Sequence, residues 1–588
     1  MHLYLPISKI ILQKIWNTIN KLYKYNKDRT TKYIYSNGIK ISNPTGITET
    51  LNKFYTIIAQ KLDNELPPSN INPTNFLKGN YPTSMVVPPV NTYEVISVIN
   101  SLKNKKGNIN ELTVSLLKTN KDQLAVPLTT LFNHSLRSGK FPHCLKHATV
   151  IPIHKKGPKD DLKNYRPISL LSVYSKIFEK LMKKILINYL DSKAIISSEQ
   201  FGFRHGLSTF DALSSFSEKI YTTLDEQNSL LSIFIDFTKA FDTVKHDILL
   251  QKLNHYGIRG IVHDWFKDYL TNRTQTVRFL NHTSTPQQIK YGIPQGSVLG
   301  PILFLIYIND LANIFTNTKT ILFADDATLY ITGKDPTNII DIANTELKIF
   351  YSWCLINRLT VNLNKTLFML FSNKQTDILP PLTLHHSEIK RTNVHTFLGV
   401  IYDDAMSFKP HITSLILKLS RIVSLLYQAK EFMPLYVLRL MYNAHILPHL
   451  QYCTPIWCNT YPTHLLPLFR LQKKIIRIIT NSNYFEHTHP LFKNTNILKI
   501  FDINKLQIGI FMFKALHSGH RIVLHPQHNY PTRTRDCLRT PAHNLTIFQH
   551  SLSFTGPKIW NSIPNNIKNC NSLYSFKKHY KKHIITQY

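Results

Sequence analysis

Two apolar runs that end in carboxylates constrain this chain more than any other feature of it. The first is Leu230-Leu231-Ser232-Ile233-Phe234-Ile235, closed by Asp236. The second is Thr320-Ile321-Leu322-Phe323-Ala324, followed by Asp325-Asp326 and a further strand-like run, Ala327-Thr328-Leu329-Tyr330. Runs of this length read as strands, and the second reads as a hairpin with its acids at the turn. An aspartate beside a buried strand costs free energy unless it is paired or binds a cation. Singly, Asp236 also suits the cap of a following helix, and Asp325-Asp326 an ordinary hairpin turn. Together, three aspartates at strand ends, with Asp325 89 residues beyond Asp236, are a set that two Mg²⁺ ions could share. Carboxylate oxygens are the hard ligands Mg²⁺ takes, and two metals about 4 Å apart serve phosphoryl transfer.

Between these runs lies Tyr291-Gly292-Ile293-Pro294-Gln295-Gly296-Ser297-Val298-Leu299-Gly300-Pro301. Its glycines permit a tight loop that a ligand can approach closely, and an apolar helix is expected over 302–308. The charge balance points to the ligand class. Seventy Lys+Arg against 35 Asp+Glu leave a net charge of +35, an excess that predicts a polyanion partner, with nucleic acid the leading choice. A hydrophobic fraction of 43% with 18% charged residues excludes a disordered chain, and 588 residues favour several domains. Six scattered cysteines without a Cys-x2-Cys pair exclude a disulfide scaffold and zinc-finger spacing. No apolar run of about 18 residues stands out, so no transmembrane span and no membrane partner are expected.

Along the chain, residues 1–16 read as a mildly amphipathic helix, and 46–63 as a helix with Leu51, Phe54, Ile57, Ile58 and Leu62 on one face. A Pro/Asn-rich stretch at 67–73 reads as a linker. From 90 to 402, helical and strand-like runs alternate, the pattern of an α+β body. Ile412, Leu415, Ile416, Leu419, Ile422, Val423 and Leu426 mark a helix, as do Leu468, Leu471, Ile475 and Ile478. On the latter, Arg470, Lys473, Lys474 and Arg477 lie largely off the apolar face. The cluster His487, His489, His517, His520, His525 and His528, with Cys537 after it, fits no zinc spacing and reads as a basic, solvated surface.

The three segments occur in an order that resembles a reverse transcriptase, specifically that of a non-LTR (LINE-type) retrotransposon of the jockey or chicken-repeat kind. Further blocks continue the match: Phe141-Pro142, Ile151-Pro152-Ile153-His154-Lys155-Lys156-Gly157, Asn164-Tyr165-Arg166-Pro167-Ile168-Ser169-Leu170-Leu171, and Gln200-Phe201-Gly202-Phe203-Arg204 with Ser208-Thr209. Asn362 with Asn364-Lys365-Thr366, Phe397-Leu398-Gly399-Val400, and Phe554-Thr555-Gly556-Pro557-Lys558-Ile559-Trp560-Asn561 follow, so the resemblance runs from about 46 to 582.

The resemblance implies an RNA-directed DNA polymerase with a right-hand architecture. The chain would comprise a basic N-terminal extension and linker (1–94), fingers and palm with an antiparallel sheet (95–402), a helical thumb (403–490) and a basic helical C-terminal region (491–588). Asp236, Asp325 and Asp326 match the metal-binding triad, with two Mg²⁺ as cofactors and Mn²⁺ as a substitute. Phe241 matches the aromatic gate against a ribose 2′-hydroxyl. Gln295 matches the contact to the incoming nucleotide and template pair. Lys155 and Arg166 match triphosphate contacts, where a charge and a guanidinium fork suit phosphate oxygens. Lys365 matches a general acid for pyrophosphate. Arg204, Gly296 and the grip residues Phe397, Leu398 and Gly399 would meet template and primer, and Arg470, Lys473, Lys474 and Arg477 would track duplex phosphates. The implied partners are an RNA template, a DNA primer, dNTPs and a separate gag-like RNA-binding protein. With no endonuclease segment before 46, the nick is expected from elsewhere. Work in both cytoplasm and nucleus is implied. One departure is Gly107-Asn108-Ile109-Asn110-Glu111, where the family usually has Ser-Pro-Gly-Pro-Asp-Gly. A group II intron maturase, an RNA-dependent RNA polymerase and a non-catalytic nucleic-acid-binding remnant are the competing readings. Phe241 argues against the RNA polymerase.

Overall fold

The computed structural model describes residues 33–588 apart from 37, 105–112, 375–378, 432 and 519–536. The helix expected over 1–16, the departure at Gly107, and His520, His525 and His528 lie outside the described residues. A short hairpin (Ile34–Ser36 with Ile39–Ile41) precedes helix α1 (Pro44–Glu65), and after three helices between 92 and 138 come strands β1 (His147–His154) and β2 (Tyr165–Leu171) and helix α2 (Val173–Ser192). Helix α3 (Thr209–Asp225), strands β3 (Ser229–Ile235) and β4 (Arg273–Phe279), and helix α4 (Gly300–Ile308) follow. Next are β5 (Lys319–Phe323), β6 (Asp326–Gly333), α5 (Pro336–Ile356), β7 (Leu367–Phe371), β8 (Val394–Phe397) and β9 (Val400–Asp403). The main elements beyond are helices: α6 (Lys409–Ala429), α7 (Pro462–Thr480), α8 (Ile500–Ser518), α9 (Leu552–Ser562) and α10 (Leu573–Thr586). The fold is therefore α+β, as the alternation of patterns predicts.

The central sheet runs in the order Lys390–Arg391, β7, β3, β6, β5, antiparallel except at the Lys390–Arg391 edge. Strand β3 lies in its middle, and all of its residues are buried, which is why its sequence is apolar without alternation. Successive side chains of a strand point to opposite faces. Leu231, Ile233 and Ile235 accordingly join a core with α2, α4 and α5, whereas Leu230 and Phe234 join a second core with α3 and the C-terminal helices. Each aliphatic or aromatic side chain so buried contributes about 1.5–3 kcal/mol. The second core runs from Phe201 to Ile584, so the regions expected as 403–490 and 491–588 share one interior with the sheet. A second sheet is built on β2, β1 and β4, with β1 antiparallel to β2 and parallel to β4.

Three expectations change. In α1 the buried face is Ile47, Thr48, Leu51, Asn52, Ala59 and Asp63, and Ile57 is 44% exposed. Polar burial turns the helix: Asn52 donates to Ser284 Oγ and the Thr285 carbonyl and accepts from Gln275 Nε2, seating α1 against β4. Helix α1, within the stretch expected as extension and linker, is thus packed against the body. In α7, Leu471 is only half-buried, because Gln472 takes the inner position, donating to Tyr442 Oη and the Leu498 carbonyl. Finally, α6 is long and apolar enough to cross a membrane by length and composition. Its stripe Ile412, Leu415, Leu419, Val423 and Leu426 lies in the second core.

Candidate active site

The strand register brings the three aspartates to one edge. Ile235 pairs with Ala327, so the next position sets Asp236 beside Asp326 at the same end of β3 and β6. Asp326 also pairs with Phe323, leaving Ala324 and Asp325 as a two-residue hairpin turn, with Ala324 in the left-handed region at φ 57°. The turn is fixed from outside. Gln200 Oε1 accepts from the amides of Gly202 (2.8 Å) and Ala324 (3.0 Å), and the Phe201 amide donates to the Leu322 carbonyl. A Cβ on Gly202 would strike the Ala324 amide, so only glycine lets this loop lie on the hairpin. Asp236 is held from the other side. Its carbonyl accepts from the Asn362 amide (2.7 Å), and Lys365 Nζ lies 3.1 Å from its Oδ2.

The electrostatics follow from this crowding. Burial, then the charges of Asp325 and Asp236, push the Asp326 carboxyl up to about 6, against the pull of Lys155 and Arg166. Burial likewise raises Asp325, with Asp236 adding and Arg166 and Lys155 opposing. Burial lowers the Lys155 ammonium, and Arg166 and Lys365 repel it further. Lys239, in the left-handed region and reaching toward the Tyr165 carbonyl, is lowered by burial and meets the fields of Asp242, Arg166 and Lys365. An acidic edge is thus faced by Lys155, Arg166 and Lys365, with Lys239 in the field of Asp242. This arrangement suits a ligand that brings both metal charge and phosphate charge. Among the described residues, no group of three or more His, Cys, Asp or Glu forms a metal cage. The donors still fit Mg²⁺ chemically, because that ion is ordinarily held by one or two carboxylates with waters and substrate phosphates completing its shell.

The glycine loop is packed against Asp242 and β2. Gln295 Nε2 donates to Asp242 Oδ1 (2.7 Å), and its carbonyl accepts from the Ser169 amide. Gly296 has φ 117°, and a Cβ there would lie 2.6 Å from the Ser169 carbonyl oxygen. Buried Glu179 on α2 accepts from the Val298 and Leu299 amides, satisfying donors at the start of α4.

Residues 153–402 match the family model described as reverse transcriptase (RNA-dependent DNA polymerase). The matched stretch holds all three aspartates and the glycine loop. The chain is similar to the probable RNA-directed DNA polymerase from transposon X-element of Drosophila melanogaster, 28% identical over 72% of this chain and 47% of that protein. It is 29% identical to the RNA-directed DNA polymerase from mobile element jockey of Drosophila funebris, over 72% of this chain and 47% of that protein. The D. melanogaster jockey protein is 28% identical over 79% and 53%. The jockey-type resemblance is thus borne out, and the chain spans about half the length of these curated relatives.

The remaining expected site residues of the matched stretch and of the helices beyond it fall in several places. Phe241 is half-buried and stacks on Phe304 with ring centroids 4.3 Å apart. Arg204 Nη1 donates to the Ser197 and Gln200 carbonyls, bracing the loop that carries Gln200. Phe397 is a core side chain, and Leu398 and Gly399, both with positive φ, turn β8 into β9. Tyr452 Oη donates to the Leu398 carbonyl (2.6 Å), tying that turn to the helical region. On α7, Arg470 and Lys474 are exposed, Lys473 lies over the Phe469 ring, and Arg477 donates to the Glu486 carbonyl. Gln200, Glu179, Lys239, Asp242 and Tyr452 escape a reading of the sequence. Gln200 sits inside a recognised block, but its partner Ala324 is 124 residues away.

Proposed function

We propose that this chain is the RNA-directed DNA polymerase of a non-LTR retrotransposon. The observation that carries the reading is the convergence of Asp236, Asp325 and Asp326 on one sheet edge in the fields of Lys155 and Arg166, with Lys365 paired to Asp236. In this reading the chain is a right hand. Fingers and palm occupy about 95–402, the thumb 403–490, and a basic helical region completes it.

Asp236, Asp325 and Asp326 would hold two Mg²⁺ ions, replaceable by Mn²⁺, which supply activation of the primer 3′-hydroxyl and neutralisation of the leaving pyrophosphate. The primer oxygen attacks the α-phosphorus of a template-paired dNTP in line, and the bond to pyrophosphate breaks. Lys155 and Arg166 hold the triphosphate by charge and by a guanidinium fork. Lys365 stands beside Asp236 and in this reading gives a proton to pyrophosphate. Phe241, kept in place by its stack on Phe304, closes the space beside the sugar and favours dNTPs over rNTPs. Asp242 accepts from the Gln295 amide nitrogen and so fixes the side chain that in this reading meets the nascent pair. Arg204, Gly296 and the turn at Phe397, Leu398 and Gly399 line the path of template and primer, and α7 tracks the duplex. Catalysis is by positioning and preorganised charge. The partners are an RNA template, a DNA primer and a gag-like RNA-binding protein. The sites of work are the cytoplasm and the nucleus.

The test is primer extension by the purified chain on an RNA template with a DNA primer, Mg²⁺ and dNTPs, beside Asp325→Asn/Asp326→Asn. Extension by the wild type and none by the variant is expected. Failure of the wild type, with salt-sensitive RNA binding retained, sinks the polymerase reading and leaves a nucleic-acid-binding protein.

A further inference from the structure

The turn after α7 carries two consecutive aromatic side chains in solvent. Tyr484 is 73% exposed and Phe485 89%, the highest value among the exposed large hydrophobics. Leaving a ring in water forgoes the gain of burial, so this pair adds nothing to the stability of the isolated fold. The turn that carries it is not slack. Asn481 ends α7 in the left-handed region, the Ser482 amide donates to the Arg477 carbonyl, and the Glu486 amide donates to the Asn483 carbonyl. Arg477 then donates from Nε (3.1 Å) and Nη2 (2.9 Å) to the Glu486 carbonyl, closing the turn from the helix side. The same guanidinium lies 5.9 Å from the Tyr484 ring centroid. The two rings stand at 89° with centroids 5.2 Å apart, so each keeps an open face.

The charge leading to this turn is of one sign. Arg470 and Lys474 are exposed on α7, one turn apart, which is about 6 Å along the axis. That is comparable to the spacing of successive phosphates on an extended strand. Cations in a row followed by open ring faces are the two halves of a single-strand site: the cations take phosphates, and the rings take bases, since every base has a face to stack. A protein partner would be met by the rings alone and would gain nothing from the basic row.

We propose that Tyr484 and Phe485 are a stacking platform for the unpaired bases of an RNA strand whose phosphates run along Arg470 and Lys474. This site goes beyond the polymerase reading and does not rest on it, because binding needs no catalysis. The experiment uses the full chain and measures fluorescence anisotropy with a labelled oligouridine RNA and with an abasic oligomer of equal length and charge. Tyr484→Ala/Phe485→Ala should weaken oligouridine binding at least about fivefold, the low end for one stacked base, and leave abasic binding unchanged. Tyr484→Trp/Phe485→Trp should restore it, which also answers the objection of misfolding. RNA carrying 5-iodouridine should photocrosslink to Tyr484 or Phe485. Equal losses on both oligomers, no loss on either, no RNA binding by the wild type, or crosslinks elsewhere only would each overturn the proposal. No loss with RNA binding intact would assign the rings to a protein partner.

Discussion

At the scale of single residues, the strongest commitment in the interior is a pair of opposite charges. Lys252 Nζ lies 2.7 Å from Asp310 Oδ1, both side chains are 0% exposed, and the ammonium also donates to the Tyr307 carbonyl. Burial pushes the Lys252 ammonium down and Asp310 opposes the shift. Removing one partner of such a pair strands the other charge, which costs about 3–5 kcal/mol, whereas replacing both with apolar groups is often nearly neutral. Lys252→Met should therefore destabilise the chain by about 3–5 kcal/mol in urea unfolding. Lys252→Met/Asp310→Leu should recover most of that loss. Equal destabilisation by the single and double variants would show that the site needs its packing and not its charge balance.

At the scale of elements, one arginine fastens α1 to the body. Arg358, just past α5, pairs through Nε with Asp63, and its Nη1 donates to the Pro67 carbonyl (2.7 Å) and Nη2 to the Leu66 carbonyl (3.3 Å). It thereby satisfies carbonyls that the end of α1 leaves open. Asp63 also accepts from Tyr291 Oη (2.9 Å), the first residue of the glycine loop. Arg358→Ala should cost about 3 kcal/mol, the lower end for a broken buried pair. It should also raise hydrogen exchange in α1 before the rest of the fold. A uniform rise would place Arg358 in the global core instead. The β8–β9 hairpin is held by two neutral histidines. His395 stacks on Phe234 of β3 at 4.0 Å, and His411 Nδ1 of α6 accepts from the Ile401 amide. Burial pushes both imidazoles down to about 4. The unfolded chain protonates them near 6.5, so stability is full above that pH and declines as pH falls toward 4. Thermal unfolding should show this decline, and His411→Asn should blunt it by roughly half.

These elements also show what a sequence discloses. The Asp325-Asp326 hairpin is legible because strand, turn and strand are contiguous, so local pattern is enough. That Asp236 stands beside Asp326 is not given by local pattern, because it depends on the pairing of β3 with β6 across 90 residues; the order of the blocks and the resemblance are what join them in the sequence. The buried faces of α1 and α7 depart from their apolar stripes for one reason. Asn52 and Gln472 are polar, yet each sits inside because its hydrogen bonds are met by distant backbone and side-chain groups. An apolar stripe cannot reveal that.

At the scale of the whole molecule, the net charge of +35 needs a location to have a consequence. Four basic residues of α7 look equivalent in the sequence, but the fold sorts them. Arg470 and Lys474 stand in solvent, whereas Lys473 covers the Phe469 ring and Arg477 is spent on the Glu486 carbonyl. Only residues that neutralise phosphates release counterions, and each adds about one unit to the slope of log affinity against log salt. A duplex engaged through eight phosphates would give a slope of about −7. Arg470→Ala/Lys474→Ala should flatten the measured slope by about 2, weakening binding equally for every sequence. Arg477→Ala should leave the slope nearly unchanged and lower affinity through the turn that it closes. A slope unmoved by the double variant would take α7 off the path of the nucleic acid.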